Sequence, residues 1–276
     1  EICACLVGSE MCIRDSYYII IALYLGERDF IYTILFKGDT VMIGIIGAMD
    51  TEVDNIKAQV KGKTVSEIAG VEFVCGFIED VTVCVAKCSP GKVNAALCTQ
   101  AMIDNFDIDL IINVGVACSL SNDVVIKNVV IASDVCEYDI DITALGEPRG
   151  FINGLNVIKV KADEKISELL ARTAISCGEK IHRGTIASGD TFIASSELKD
   201  MLKNEFGAIC GEMEGGAIGH TCAANNIPFA VLRSISDGGD ENSQLDYPTF
   251  KKIAAEISTT IILEFIKLQK NQYTLF

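Results

Sequence analysis

The chain has 276 residues and a formal net charge of −15, and half of its residues are hydrophobic. It can therefore bury a full core, and an acidic balance without a Lys/Arg-rich run argues against nucleic acid as a partner. The 12 cysteines form no C-x-x-C pair and only two histidines accompany them. We therefore expect no metal site and no cofactor, and we interpret the cysteines as small core residues of a cytoplasmic protein.

The first 41 residues do not share the pattern of the rest. Their apolar run, residues 17–36, is interrupted by three charged residues, and the uninterrupted part is shorter than the ~20 apolar residues that span a bilayer. The basic start and cleavage site of a signal peptide are missing. We predict an artefactual or non-domain extension over residues 1–41, a domain over 42–268 and a tail over 269–276. The alternative is a membrane-anchoring appendage.

The remaining chain alternates short apolar segments with amphipathic ones, which favours a single α/β domain. Several strands are apolar throughout, as in sheets covered on both faces. The run GVACSL, residues 115–120, lacks the pattern of phosphate loops and is predicted to be a strand-to-loop turn. Strands are predicted at 42–49, 71–76, 81–87, 110–114, 128–135, 183–188 and 228–236, and helices at 50–60, 92–106, 162–178, 195–206, 215–219 and 247–268.

The segment GEMEGGAIGH, residues 211–220, places Glu212 and Glu214 around Met213 at the start of a predicted helix. The helix dipole favours acids there, and the small residues that follow let a ligand approach the backbone. A thioether between two carboxylates suits a sugar diol with a flat base beside it. The alternative is a helix start with two solvated acids.

A second acidic segment, LRSISDGGD, follows after one predicted strand. Its Arg233, Ser236 and Asp237 lie at the carboxyl end of an apolar run, where open α/β sheets bind ligands. With Glu52 at another helix start, these acids meet the needs of N-glycosidic hydrolysis. One acid protonates the leaving purine, one carboxylate activates water and another holds the ribose hydroxyls. Taken singly, each of these acids is more often a solvated acid at a helix start.

Four blocks, IGIIGAMDTEV, SGDTFI, GEMEGGAIGH and RSISDGGD, occur in the order and spacing of bacterial 5′-methylthioadenosine/S-adenosylhomocysteine nucleosidases. The chain resembles this family over residues 42–268. The resemblance implies an α/β fold: a single three-layer αβα domain with a central mixed, twisted sheet. It also implies release of adenine from methylthioadenosine and S-adenosylhomocysteine, with 5′-deoxyadenosine as a further candidate, by a cytoplasmic homodimer.

The resemblance also assigns roles to particular residues. Glu52 would be the base that activates water, and Asp237, oriented by Ser236, the acid that protonates adenine N7. Glu214 would accept hydrogen bonds from the ribose hydroxyls. The other implied substrate contacts are Met213 and Arg233 near the sugar, Phe192, Ile193 and Ala117 around the adenine, and Met49 and Tyr247 on the sugar and alkylthio side.

The segment YDIDITALGEPRGFI, residues 138–152, places large apolar side chains in an acidic loop, which often marks a contact surface. The resemblance implies that Ile142 and Leu145 cap the partner subunit's alkylthio pocket. The alternative is a loop that folds back on its own core.

The sequence departs from the family pattern at Cys118, Pro90 and Gly239, which puts substrate preference in question more than reaction type. Three other functions stay open. They are a purine nucleoside phosphorylase, another superfamily nucleosidase acting on futalosine or AMP, and a non-catalytic nucleoside-binding protein. A phosphorylase needs cationic residues near the ribose, and Arg233 is one candidate.

Overall fold

The computed structural model describes residues 19–24, 30–35 and 41–270. The chain divides into two units, Glu1–Thr40 and Val41–Phe276. In the first unit, β1 (Ile19–Tyr24) pairs antiparallel with β2 (Phe30–Leu35). The rest of the predicted extension before Val41, and residues 271–276 of the predicted tail, lie outside the described residues.

The described part of the second unit, residues 41–270, contains ten strands and six α-helices. None of the helices in this part of the chain is long and apolar enough to cross a membrane. The elements are β3 (Met42–Gly47), α1 (Asp50–Gln59), β4 (Lys61–Ile68), β5 (Val71–Ile78), β6 (Val81–Lys87), α2 (Lys92–Asn105), β7 (Leu110–Ser119), β8 (Val129–Glu137), a 3-10 turn (Thr143–Leu145), β9 (Lys159–Lys161), α3 (Glu164–Ser176), β10 (Ile181–Ser188), α4 (Ser196–Phe206), β11 (Ala208–Glu212), α5 (Gly215–Asn225), β12 (Phe229–Asp237) and α6 (Ser243–Lys270).

The ten strands form one mixed sheet in the order β11-β10-β8-β12-β7-β3-β6-β5-β4, with β9 added to β8. Strand β3 pairs parallel with β6 and β7, whereas β4, β5 and β6 pair antiparallel. Strand β7 also pairs antiparallel with β11. The five strands β7, β12, β8, β10 and β11 therefore close into a ring, called here the five-strand ring.

Helices cover both faces of the sheet. Apolar side chains of α2 and α5, such as Met102 and Ile218, pack in one buried cluster. Those of α1, α3 and α6, such as Ile56, Leu170 and Phe265, pack in another. The central strand β12 is buried at all nine positions, which explains its unbroken apolar character. The predicted three-layer α/β fold with a mixed central sheet is confirmed.

Some predicted boundaries are wrong. Strand β7 does not end at Val114 but continues to Ser119, because pairing with β11 extends it through the predicted turn at residues 115–120. The predicted small-residue helix does begin at Gly215, but Glu212, which was expected at its start, is the last residue of β11. Strand β4 was not predicted because its polar, largely exposed sequence carries no apolar alternation.

Candidate active site

A pocket of about 530 Å³, including its open mouth, lies where β3, β10, β11 and β12 end beside the last residues of β7. It contains all the predicted site residues except Arg233, Ile142 and Leu145. The lining residues are Ala48, Met49, Glu52, Pro90, Val116, Ala117, Cys118, Thr191, Phe192, Ile193, Gly211, Glu212, Met213, Glu214, Ser236, Asp237 and Tyr247.

Glu52 lies in the first turn of α1, and its side chain turns back to the end of β3. Its Oε2 accepts the N–H groups of Ala48 at 2.7 Å and Met49 at 2.9 Å, and its Oε1 accepts that of Val116 at 3.0 Å. Burial raises the pKa of Glu52, against the opposing effects of Arg233 and these N–H groups. The three donors fix the carboxylate between β3 and β7.

Arg233 lies in the middle of β12, with only 1% of its surface exposed. Its guanidinium donates to the side chains of Asn113 and Glu212, and it lies 3.8 Å from Glu214. It therefore stands behind the pocket, rather than in its wall, and supports the carboxylates from there. A Cβ on Gly115 would fall 2.7 Å from Glu52 Oε1 and 3.4 Å from the Arg233 Cζ, so β7 can pass between these groups only with glycine.

Glu212 and Glu214 are neighbours with different environments. Glu212 accepts the N–H groups of Glu214 at 2.9 Å and Gly215 at 2.7 Å, besides the Ser188 hydroxyl and Arg233. Glu214 accepts one backbone donor, the N–H of Gly91 at 2.9 Å. Burial, and then the charge of Glu212, raise the pKa of Glu214 to about 8. Glu212 is thus an anchor that sequence reasoning missed, since two acids two residues apart look alike in a sequence.

Asp237 ends β12 and is 1% exposed. Its Oδ2 lies 2.9 Å from the Ser236 hydroxyl, which donates to it, and its Oδ1 accepts the N–H of Gly239 at 3.1 Å. Burial raises the pKa of Asp237, although hydrogen bonds from Ser243 and Ser236 oppose the rise. A carboxyl group in such a setting is suited to holding a proton for transfer.

The pocket lining also includes apolar and aromatic residues. Phe192 is 43% exposed, and its ring meets the Tyr247 ring edge-on, with centroids 5.4 Å apart and an interplanar angle of 73°. The Tyr247 hydroxyl lies 3.1 Å from the Met49 sulfur. Ala117 and Cys118 form the wall contributed by β7. An exposed aromatic face beside a narrow apolar wall suits a planar heterocycle.

A network that the sequence did not reveal braces two pocket segments. Lys92 Nζ lies 2.5 Å from Asp139 Oδ1 and 3.0 Å from Glu137 Oε2. Asp139 accepts the N–H of Asp190 at 2.9 Å, and Asp190 accepts the N–H of Lys92 at 2.7 Å. The closed set Lys92–Asp139–Asp190, called here the Lys92 ring, fixes the start of α2, where Gly91 donates to Glu214. It also fixes the segment that leads to Phe192.

Ile142 and Leu145 lie away from this pocket, in and beside the 3-10 turn. Leu145 is 82% exposed, whereas Ile142 is half-buried. Neither residue is among those that line the pocket.

Similarity to known proteins places the chain in a superfamily. The family model of the phosphorylase superfamily matches residues 42–267 of this chain. The chain is 35% identical to the 5′-methylthioadenosine/S-adenosylhomocysteine nucleosidase of Haemophilus influenzae (strain PittEE), over 81% of this chain and 98% of the relative. Within the superfamily, the chain belongs to the 5′-methylthioadenosine/S-adenosylhomocysteine nucleosidases.

Solved structures agree with this placement. The nucleosidase from Colwellia psychrerythraea in complex with adenine superposes with a TM-score of 0.78 at 30% identity, covering 82% of this chain and 95% of its own. Futalosine hydrolase of Helicobacter pylori is also similar, with a TM-score of 0.79 at 31% identity, covering 83% and 98%.

Proposed function

We propose that this chain hydrolyses the N-glycosidic bond of 5′-methylthioadenosine and S-adenosylhomocysteine and releases adenine, with 5′-deoxyadenosine as a further substrate. It is an N-glycosyl hydrolase. Such a reaction serves methionine salvage. We place the protein in the cytoplasm, since the nine cysteines of the described residues are all free thiols.

One observation carries the choice of a hydrolase over a phosphorylase. The described pocket wall contains four carboxylates, Glu52, Glu212, Glu214 and Asp237, and no Lys, Arg or His. Arg233, the candidate cation, is already bonded to Asn113 and Glu212 behind the wall. A phosphate ion would therefore enter a negative site without a cationic partner, whereas a water molecule and a cation-like sugar are favoured there.

We divide the chemistry among the carboxylates according to their burial and hydrogen-bond partners. Asp237, whose burial favours its protonated form, donates a proton to adenine N7 as the bond to the sugar breaks. Glu52 receives a proton from the attacking water. Glu214 accepts the ribose hydroxyls, since its carboxylate has one backbone partner while Glu212 is engaged by its neighbours.

The apolar residues take the rest of the substrate. Phe192 stacks on adenine while the Ile193 backbone reads the edge of the base, and Ala117 lies on the base side. Met213 packs on the sugar, and Met49 and Tyr247 border the alkylthio group. All six line the pocket. We also infer a homodimer in which Ile142 and Leu145 cover the partner's pocket, supported by the exposure of Leu145.

Adenine release with and without phosphate tests the function directly. We expect adenine to form from methylthioadenosine at the same rate in both conditions, with free methylthioribose as the second product. A rate that requires phosphate and yields a sugar phosphate would instead identify a phosphorylase. Because futalosine hydrolase of Helicobacter pylori has a similar structure, futalosine is a second candidate substrate. Futalosine and AMP therefore belong in the same assay. Faster turnover of futalosine or AMP than of methylthioadenosine would change the assigned substrate but not the reaction type.

A further inference from the structure

Two thiols outside the pocket form a cross-strand pair. Cys75 on β5 and Cys84 on β6 lie directly opposite each other in the antiparallel register, and their sulfur atoms are 2.8 Å apart. Cys75 is half-buried and Cys84 is buried. Neither thiol lines the pocket.

The hairpin turn determines what kind of strand pair this is. Ile78 and Val81 face each other across a two-residue turn, Glu79–Asp80, in which both residues have positive φ. In such a turn the flanking residues form a hydrogen-bonded pair. Antiparallel pairs alternate between hydrogen-bonded and non-hydrogen-bonded, so three steps away Cys75 and Cys84 form a non-hydrogen-bonded pair.

That geometry suits a covalent bond between the two sulfur atoms. In a non-hydrogen-bonded pair the Cα atoms are about 4.5 Å apart, which falls within the ~4.4–6.8 Å that disulfides span. The bond therefore requires side-chain rotation and a small approach of the sulfur atoms, while the strand register stays as it is.

The two thiols also differ in exposure and in pKa, and thiol–disulfide exchange depends on both properties of the attacking thiol. The hydrogen bond between the two thiols lowers the pKa of Cys75, the more exposed thiol. The same hydrogen bond, together with burial, raises the pKa of Cys84. Exposure and thiolate character identify the sulfur that attacks first, so Cys75 is the attacking thiol and Cys84 the resolving one.

We propose that Cys75 and Cys84 form a reversible dithiol/disulfide site that reacts with low-molecular-weight disulfides. The Cys75 thiolate attacks one sulfur of the small disulfide, forming a mixed disulfide and releasing one small thiolate. Cys84 then attacks the Cys75 sulfur, and the second small thiolate leaves and takes up the Cys84 proton. The two protein thiols are oxidised to one disulfide, and the small disulfide is reduced to two thiols. The proposal does not depend on the nucleoside substrate.

Peptide mapping of the full chain tests the site. The protein is treated with oxidised glutathione, its free thiols are alkylated, and it is cleaved after glutamate and lysine. Cleavage after Glu72, Glu79 and Lys87 leaves Cys75 and Cys84 on separate peptides, each with a single cysteine. We expect a pair of peptides joined by a Cys75–Cys84 bond, which separates after treatment with dithiothreitol. Two alkylated peptides, or glutathione retained on Cys75 in the wild-type chain, would overturn the proposal.

Three variants define the order of the steps. Cys84→Ala should retain glutathione on Cys75, because the resolving thiol is gone. Cys75→Ala should leave Cys84 as a free thiol. Cys98→Ala is the matched control, since Cys98 is a fully buried thiol in the same core cluster as Cys84. The joined peptides should form in this control as in the wild type. A Cys84–Cys98 bond in the wild-type chain would contradict the assignment of the pair.

Discussion

At the scale of single residues, the pocket carboxylates are distinguished by what surrounds them. Glu52 accepts three backbone N–H groups, Glu214 accepts one, and Asp237 accepts one together with a serine hydroxyl. Hydrogen bonds from N–H groups favour the charged form of a carboxylate, and burial favours the neutral form. Burial raises the pKa of all three groups, and the donors that oppose the rise differ in number and kind. On this difference rest the proposed roles of base, sugar-binding group and acid.

Replacing the acid should slow the reaction without unfolding the protein. We expect Asp237→Asn to lower kcat by at least about 10²-fold, because the amide keeps the shape but cannot supply the proton. Adenine release under saturating methylthioadenosine measures the effect. Asp200→Asn, which changes an exposed acid on α4, is the control and should leave kcat unchanged. Near wild-type turnover by Asp237→Asn would remove Asp237 from the mechanism.

The base should show a loss of both activity and stability. Glu52→Gln removes the water activator, so kcat should fall by at least about 10²-fold. The glutamine amide also places an NH₂ group, a donor, against a backbone N–H that then has no acceptor. This loss should lower the free energy of unfolding by about 1–3 kcal/mol. Adenine release and denaturant unfolding measure the two effects. Glu256→Gln, at an exposed position on α6, should change neither. Retained activity in Glu52→Gln would exclude Glu52 as the base.

The raised pKa of Glu214 predicts a pH-dependent stability. The Glu214 carboxyl group has a pKa of about 8 in the folded chain, whereas its pKa in the unfolded chain is near 4.5. The folded state therefore binds more protons between these values, and the free energy of unfolding contributed by Glu214 falls as pH rises through this window. We expect the Tm of the wild type to decrease more steeply between pH 5 and about 8 than that of Glu214→Gln. Parallel Tm profiles for the two proteins would contradict this assignment.

At the scale of elements, the sequence predicted what local patterns determine. Helix α4 begins as predicted, because Ser195 caps it by accepting the N–H of Leu198. Strand β11 was missed, since its five residues precede a glycine-rich helix and its strand character depends on pairing with β10 and β7. The same limit applies to the site. Asp237 could be placed at a strand end from the sequence, but the partners of Arg233 depend on three-dimensional contacts.

The Lys92 ring is an element-scale feature with a measurable role. Lys92→Met should release the start of α2 and with it the Gly91 N–H that Glu214 accepts. We expect KM for methylthioadenosine to rise roughly tenfold, equivalent to about 1.4 kcal/mol. The Glu214 ionisation seen in a pH profile of KM should also move upward, because the lost hydrogen bond had lowered that pKa.

Lys57→Met is the control for the Lys92 ring. Its side chain is as buried as that of Lys92, at 16% exposure, and it pairs with Glu72. The control should change stability without moving the KM profile. If both variants move the profile equally, the Lys92 ring has no special role in positioning Glu214.

At the scale of the whole molecule, the inferred homodimer is testable at Leu145. Leu145→Asp should weaken association and raise KM for methylthioadenosine, because a charged group would replace an apolar contact with the partner. Light scattering and kinetics at one concentration measure both effects. Leu145 is a better position for this substitution than Ile142, because Ile142 is half-buried and a charge there would also disturb folding. Ile175→Asp, at a 58% exposed position on α3, is the control. A fully active wild-type monomer would refute the shared pocket.

The five-strand ring has a consequence for how the sheet opens. Strand β7 pairs with β12 on one side and, on the other, with β3 along its first half and with β11 at its end, so neither side of β7 is a free edge. Along the described sheet, the path ends at the exposed strand β4. Local unfolding starts where few buried contacts hold a strand, so we expect the exposed strand β4 to fray before the fully buried strand β12. Fraying confined to β4 would leave Asp237, Glu212 and the β7 wall assembled.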